Sequence, residues 1–231
     1  MKKYEVLLFD ADRTLFDFDG AERDAFGRVM ASHGIELSED EFLRYVDINS
    51  ELWEQLGRGE ITKEYLQDNR FGIFFEKLGR TVSVPSAQLN FEYVDALADC
   101  SNLFSGALEL CRELSEHFEM YIVTNGVSHT QKKRFYASPI QECFKGIFVS
   151  EDAGAAKPMR EYFDYVFANI GEDKRGGSLI IGDSLKHDVL GGINSGIDTV
   201  WYNPGKTLND TDIIPGATVN SYEELRLLLL Q

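Results

Sequence analysis

The chain has 231 residues, with 39 acidic against 23 basic side chains and a formal net charge of −16. That length buries a substantial core and suits one large domain or one domain carrying an inserted second one. The negative balance argues against a nucleic-acid polymer or an anionic membrane surface as a partner, so an anionic substrate must be attracted locally.

In chain order, the first apolar run is YEVLLFD at 4–10, short and ended by a carboxylate. Its length suits a strand buried on both faces. From about Asp19 to Asn102 the pattern turns helical, and little in it reads as strand. Start signals there are the capping box SEDE at 38–41 and a cap candidate at Thr62; Gly34 and Gly79 suit helix stops, with Gly57 and Gly59 punctuating between. A helical run, ALELCRELSEHF, then leads into strands MYIVTN at 120–125 and GIFVS at 146–150. The helix REYFDYVFANIG, the strand SLIIGD at 178–183, a helix from Asp188 to Ser195 and the strand DTVWYN at 198–203 follow, and the capping box SYEE at 221–224 opens a last helix. Strand and helix in alternation predict an α/β fold: a doubly wound parallel sheet, formed by 1–18 and 103–231, with an inserted α-helical cap domain at 19–102.

Cys100, Cys111 and Cys143 are odd in number and widely spaced, with no CxxC pair, which argues against a disulfide framework or zinc site and for a reduced, cytoplasmic setting. The apolar run after Lys2 and Lys3 is too short for a secretory h-region, and no segment reaches bilayer-spanning length.

In open α/β sheets, ligands bind beyond the carboxyl ends of the strands. Asp10 ends the first strand and Asp12 follows it; Thr124 and Asn125 end the second; Lys157 lies in AAKP, before Pro158, which suits the first turn of a helix; Asp183, Ser184 and Asp188 follow the fourth. Each piece alone has a plainer reading as a turn, a helix cap or a solvated lysine. Their joint arrangement at successive strand ends favours function. Asp10, Asp12 and Asp183 make a set of hard oxygen ligands that suits Mg2+, which takes one or two carboxylates plus substrate phosphate oxygens. Lys157 adds positive charge, while Thr124, Asn125 and backbone N–H groups around Ala11 to Thr14 offer donors for phosphate. Asp10 is then the nucleophile, with Asp12 protonating the leaving alkoxide and later activating water. Asp188 is assigned to orienting Lys157 or a metal-bound water, and Glu151 and Asp152 are candidates for holding such a water.

DADRT at 10–14, Thr124 with Asn125, Lys157, and GDSLKHD at 182–188 resemble the four motifs of the haloacid dehalogenase superfamily, in the subgroup with a helical cap inserted after the first strand. The resemblance implies a magnesium-dependent phosphohydrolase of small-molecule phosphomonoesters, working through an aspartyl phosphate. Further stretches, DADRTLFDF, LWEQLGRGEIT with Arg70 and Phe71, IVTNG with Thr130 and Gln131, and GDSLKHDVLGGINSG with Trp201 and Asn203, are similar to bacterial pyrimidine 5′-nucleotidases. On that resemblance Asn49 and Arg70 are substrate-pocket residues, while Trp53 and Phe71 pack in the cap core. Arg13 departs from the smaller or acidic residue usual there; it meets a substrate phosphate or a cap acid. A cap of this kind closes over the site and excludes water.

Three rival functions remain on sequence alone. A sugar-phosphate phosphatase or phosphomutase would share the core residues. A 2-haloacid dehalogenase needs no acid at position 12, and a phospho-accepting signalling module leaves the long insertion unexplained.

Overall fold

In the computed structural model, which describes residues 4–231, the first apolar run becomes β1 (Val6–Phe9), buried at every position. Four helices follow: α1 (Phe18–Ser32), α2 (Glu39–Gly57), α3 (Lys63–Lys77) and α4 (Ser86–Ala98). The remainder runs α5 (Ala107–Ser115), β2 (Glu119–Thr124), α6 (Ser128–Ala137), β3 (Gly146–Val149), α7 (Ser150–Ala153), α8 (Arg160–Ile170), β4 (Ser178–Gly182), α9 (Leu190–Ser195), β5 (Asp198–Tyr202), β6 (Ala217–Val219) and α10 (Tyr222–Leu230). Contacts group the described residues into two units, one comprising those up to Phe18 with Ser101–Gln231 and the other Asp19–Cys100.

The first unit holds one six-stranded sheet in the order β3-β2-β1-β4-β5-β6, and every neighbouring pair is parallel. This is the doubly wound α/β architecture expected from the strand and helix alternation. The two-residue period of a strand explains its two-sided core. Leu7 and Phe9 point to one face, packing with Leu110 and Leu114 of α5, Phe135 of α6 and Leu225 of α10. Val6 and Leu8 point to the other, with Tyr162, Phe163, Val166 and Phe167 of α8. Because β1 pairs with β2 on one side and β4 on the other, the strand order reverses at β1. A crevice at such a reversal is where open sheets bind ligands.

Local chemistry accounts for most boundaries. Ser38 and Glu41 form the reciprocal capping box, and Thr62 accepts from the Tyr65 N–H to start α3. At α10 the box is shifted: Ser221 accepts from the Glu224 N–H, but the Glu224 carboxylate reaches back to the N–H of Asn220. Gly34 and Gly79 take positive φ values of 64° and 66°, a left-handed conformation suited to ending α1 and α3. Three details differ from the sequence reading. The edge strand β6 comes from ATV, too short to display a period. The Asp188–Ser195 helix is interrupted, because Leu185–Val189 forms a wide turn in which the Val189 N–H reaches Ser184 O at 3.1 Å before α9 begins. Pro158 follows a cis peptide bond and lies outside α8, which starts at Arg160.

The second unit, taken by itself, packs around aromatic rings. Phe26, Tyr45, Phe71, Phe74 and Tyr93 are buried, and the ring pairs among them have centroids 4.4–6.3 Å apart. Phe71 sits inside this cluster. Trp53 does not; it is partly exposed, with the Lys63 ammonium 5.5 Å above its ring. Truncating a buried aromatic removes its burial and leaves a cavity, so Phe71→Ala is expected to cost about 3–5 kcal/mol in urea unfolding. A loss under about 1 kcal/mol would show that the cluster is not the unit's core.

Candidate active site

Lys157 is buried, and its three ammonium protons have three acceptors: Asp10 Oδ1 at 2.6 Å, Asp188 Oδ1 at 2.6 Å and the Val123 carbonyl at 2.8 Å. Burial opposes the charged ammonium, but the Asp10 and Asp188 carboxylates outweigh it and hold the Lys157 pKa above the ordinary lysine value. The lysine's own main chain is clamped from β2. Asn125 donates from Nδ2 to Lys157 O at 2.8 Å and accepts from the Lys157 N–H at 2.9 Å. Asn125, expected to donate to phosphate, is therefore engaged in placing Lys157.

The second oxygen of Asp10 accepts from Thr14 Oγ1 at 3.2 Å, and that hydroxyl in turn accepts from the Asp183 N–H at 3.1 Å. Thr14 thus ties the ends of β1 and β4 together. Its own carbonyl is fixed by Tyr222 Oη at 2.7 Å, and the Asp183 carbonyl by Trp201 Nε1 at 2.8 Å. Asp188 is aimed by the wide turn: Oδ2 accepts from the Ser184 N–H at 3.0 Å while Oδ1 meets Lys157. Ser184 Oγ accepts from the His187 N–H, acting as a cap. Gly182 makes this possible, since a Cβ there would lie 2.2 Å from Asp188 Oδ2. Thr124 is buried and its hydroxyl accepts from the Gly126 N–H at 3.1 Å.

Oxygen atoms of Asp10, Asp183 and Asp188 lie within 4.8 Å of one another. Two of the three, Asp10 and Asp188, share the Lys157 ammonium. Burial, then repulsion from Asp188, raise the Asp10 pKa against the pull of Lys157, to about 7. Burial, then repulsion from Asp10 and Asp188, push the Asp183 carboxyl well above its ordinary range. Hard oxygen donors with an uncompensated negative charge fit a divalent cation such as Mg2+.

Asp12 was expected among the metal ligands, and its side chain is elsewhere. Gln131 Nε2 donates to its Oδ2 at 2.5 Å and Arg134 Nη1 to its Oδ1 at 2.5 Å. The Arg134 guanidinium that holds it is buried, and Asp12 is not among the three acids whose oxygens cluster. Asn49 and Arg70, expected in a substrate pocket, are buried inside the helical unit. Arg70 donates to Asn90 Oδ1 at 2.8 Å and to Asn49 Oδ1 at 3.2 Å, and Asn49 donates to Glu22 Oε1 at 2.8 Å. A buried charge and amide call for partners, and among the described residues these contacts leave only the Arg70 Nη2 of that guanidinium without a hydrogen bond. Arg13 stands at φ 61° with its guanidinium 5.1 Å from the centroid of the Phe18 ring. Glu151 and Asp152 cap α6 through Ser128, at 2.8 Å to its N–H and 3.2 Å to its hydroxyl.

Comparison with known proteins decides the family. The haloacid dehalogenase-like hydrolase pattern matches residues 7–202. The HAD-hydrolase YfnB of Bacillus subtilis (strain 168) is 41% identical over 229 residues, covering 99% of this chain and 97% of its own. The chain belongs to the haloacid dehalogenase-like hydrolases. A magnesium-bound crystal structure of YfnB superposes with a TM-score of 0.92, covering 99% of both chains. The pyrimidine 5′-nucleotidases YjjG of Escherichia coli (strain K12) and PynA of Streptococcus pneumoniae (strain ATCC BAA-255 / R6) are 33% and 34% identical, spanning 98% and 96% of this chain and 98% and 93% of their own. Among the described residues, no helix is long and apolar enough to cross a membrane.

Within this HAD-like site the raised Asp10 pKa carries a pH signature. Between the ordinary value of 3.8 and about 7, the folded state keeps a proton that the unfolded state has lost. Its contribution is therefore fully present at low pH and is lost as pH rises through that window. Metal-free protein in chelator should lose melting temperature from pH 5 to 7.5, and Asp10→Asn should flatten the slope. An equal slope in the variant would contradict the assignment.

Proposed function

We propose that this HAD-like hydrolase is a magnesium-dependent phosphomonoester hydrolase acting through an aspartyl phosphate, with pyrimidine nucleoside 5′-monophosphates as its substrate class. The observation that carries the reaction type is the gathering of Asp10, Asp183 and Asp188 oxygens within 4.8 Å of one another, with the Lys157 ammonium bonded to Asp10 and Asp188. Similarity to YjjG and PynA along nearly the whole chain supports the substrate class.

Asp10 and Asp183, with Asp188 beside them, would hold the magnesium ion, which when bound neutralises phosphate oxygens and orients them. Lys157 and Thr14 fix the Asp10 carboxylate by one hydrogen bond to each oxygen, so the nucleophile does not rotate away. Asp10 attacks phosphorus, the bond to the ester oxygen breaks, and Asp12 gives its proton to the departing alkoxide. Asp12 next takes a proton from water, whose oxygen attacks phosphorus. The Asp10–phosphorus bond breaks, leaving inorganic phosphate and the original carboxylate. Positioning and charge neutralisation supply most of the rate, as is general for phosphoryl transfer. Thr124, at the end of β2, is proposed to donate its hydroxyl proton to a phosphate oxygen.

A dehalogenase reading is disfavoured by Asp12, which attack on carbon leaves without a role. With magnesium, uridine and thymidine 5′-monophosphates should be hydrolysed at least about tenfold faster than hexose phosphates, and chelator should abolish turnover. Asp10→Asn should lose roughly a thousandfold or more in kcat while keeping its circular dichroism spectrum. Equal rates on nucleotides and sugars would overturn the nucleotide assignment, and near wild-type turnover by Asp10→Asn would overturn the aspartyl phosphate.

A further inference from the structure

Gln131 and Arg134 are three residues apart on α6 and so share a helix face. Both are buried, and both end on Asp12: Gln131 Nε2 on one carboxylate oxygen and Arg134 Nη1 on the other, each at 2.5 Å. The guanidinium is also held from the side, 4.8 Å from the centroid of the buried Phe16 ring. Phe16 bridges to the backbone of Asp12. A fully buried arginine is a costly element where packing alone is required, because its charge must be desolvated.

The loop after β2 is shaped around the same contact. A Cβ on Gly126 would lie 2.2 Å from Gln131 Nε2, 2.6 Å from its Cγ and 2.7 Å from its Cδ. Gly126 does not have a positive φ, so its role is clearance for the glutamine rather than backbone freedom. Gln131 and Arg134 thus converge on one carboxylate two residues from the proposed nucleophile, and Gly126 leaves room for the glutamine.

We infer that Gln131 and Arg134 are positioning residues that fix the Asp12 carboxyl for proton transfer to the leaving group, apart from the Asp10, Asp183 and Asp188 cluster. The inference rests on the aspartyl phosphate reading of Asp12. It assigns the pair a function that packing would not supply: holding in place the Asp12 carboxyl, which carries a proton before this step and gives it to the ester oxygen as that oxygen's bond to phosphorus breaks. The need for that proton depends on the leaving group. Nitrophenolate departs as a stable anion, whereas phenolate and nucleoside alkoxides require protonation.

The test compares kcat/KM, which reports the steps through cleavage of the ester bond, for 4-nitrophenyl phosphate, phenyl phosphate and uridine 5′-monophosphate. Arg134→Met should lose at least about tenfold more on phenyl phosphate and the nucleotide than on 4-nitrophenyl phosphate, and Gln131→Met about threefold more. Arg134→Lys should recover part of the difference. Asp12→Asn, run alongside, should show the largest selective loss. If Asp12→Asn is selective and both methionine variants lose equally on all three substrates, the pair is merely structural and the inference fails. If Asp12→Asn itself loses equally on all three, the proton-transfer reading of Asp12 fails, and the inference with it. Should Arg134→Met not fold, Gln131→Met, which removes no charge, carries the same comparison.

Discussion

The site is organised by an excess of negative charge over positive charge at the carboxyl ends of β1 and β4. Three carboxylates within 4.8 Å have one buried ammonium between them, and that ammonium has spent every proton, two of them on those same carboxylates. Repulsion of this kind normally drives side chains apart or protonates them. Here the backbone prevents separation. Asp10 is fixed at the end of a fully buried strand, Asp183 is tied to it through Thr14, and Asp188 is turned inward by the wide turn after β4. The fold supplies the force that holds the acids together, and a divalent cation would relieve it.

Two glycines show how closely the surrounding chain is fitted. Neither Gly126 nor Gly182 has a positive φ, yet a methyl group on them would fall 2.2 Å from Gln131 Nε2 and from Asp188 Oδ2 respectively. Gly182 leaves room for the carboxylate that orients Lys157, and Gly126 for the glutamine that holds Asp12. Both lie where a β-strand gives way to a loop, the position at which parallel sheets present their reactive groups. The two acids have separate partners: Lys157 and Thr14 hold the oxygens of Asp10, and Gln131 and Arg134 those of Asp12.

Much of this was legible in the sequence, for a physical reason. Buried parallel strands read as continuous apolar runs, so β1 to β5 and the residues at their ends could be located without coordinates, and the order Asp10, Thr124, Lys157, Asp183 followed. What escaped was side-chain direction. Spacing placed Asp12 beside Asp10 but could not reveal that Arg134, far along the chain on α6, captures its carboxylate. The partners Gln131 and Arg134 carry only a three-residue interval, a pattern any amphipathic helix produces. Asn125 looked like a phosphate donor and instead clips the Lys157 backbone. The family resemblance puts Asn49 and Arg70 in a substrate pocket; in the structure they bond to each other and to Glu22 and Asn90 inside the helical unit. Polar residue type signals a need for a partner, and sequence alone does not say whether that partner is a ligand or another side chain.

The most direct measurement of the central claim is calorimetric titration of magnesium chloride into metal-free protein near neutral pH, in buffers of differing ionisation enthalpy. Crowded carboxylates with raised pKa values should bind one ion per chain and release protons as they do so, and Asp183→Asn should abolish the binding without unfolding the protein. No saturable binding by the wild type, or binding undiminished in Asp183→Asn, would contradict the account.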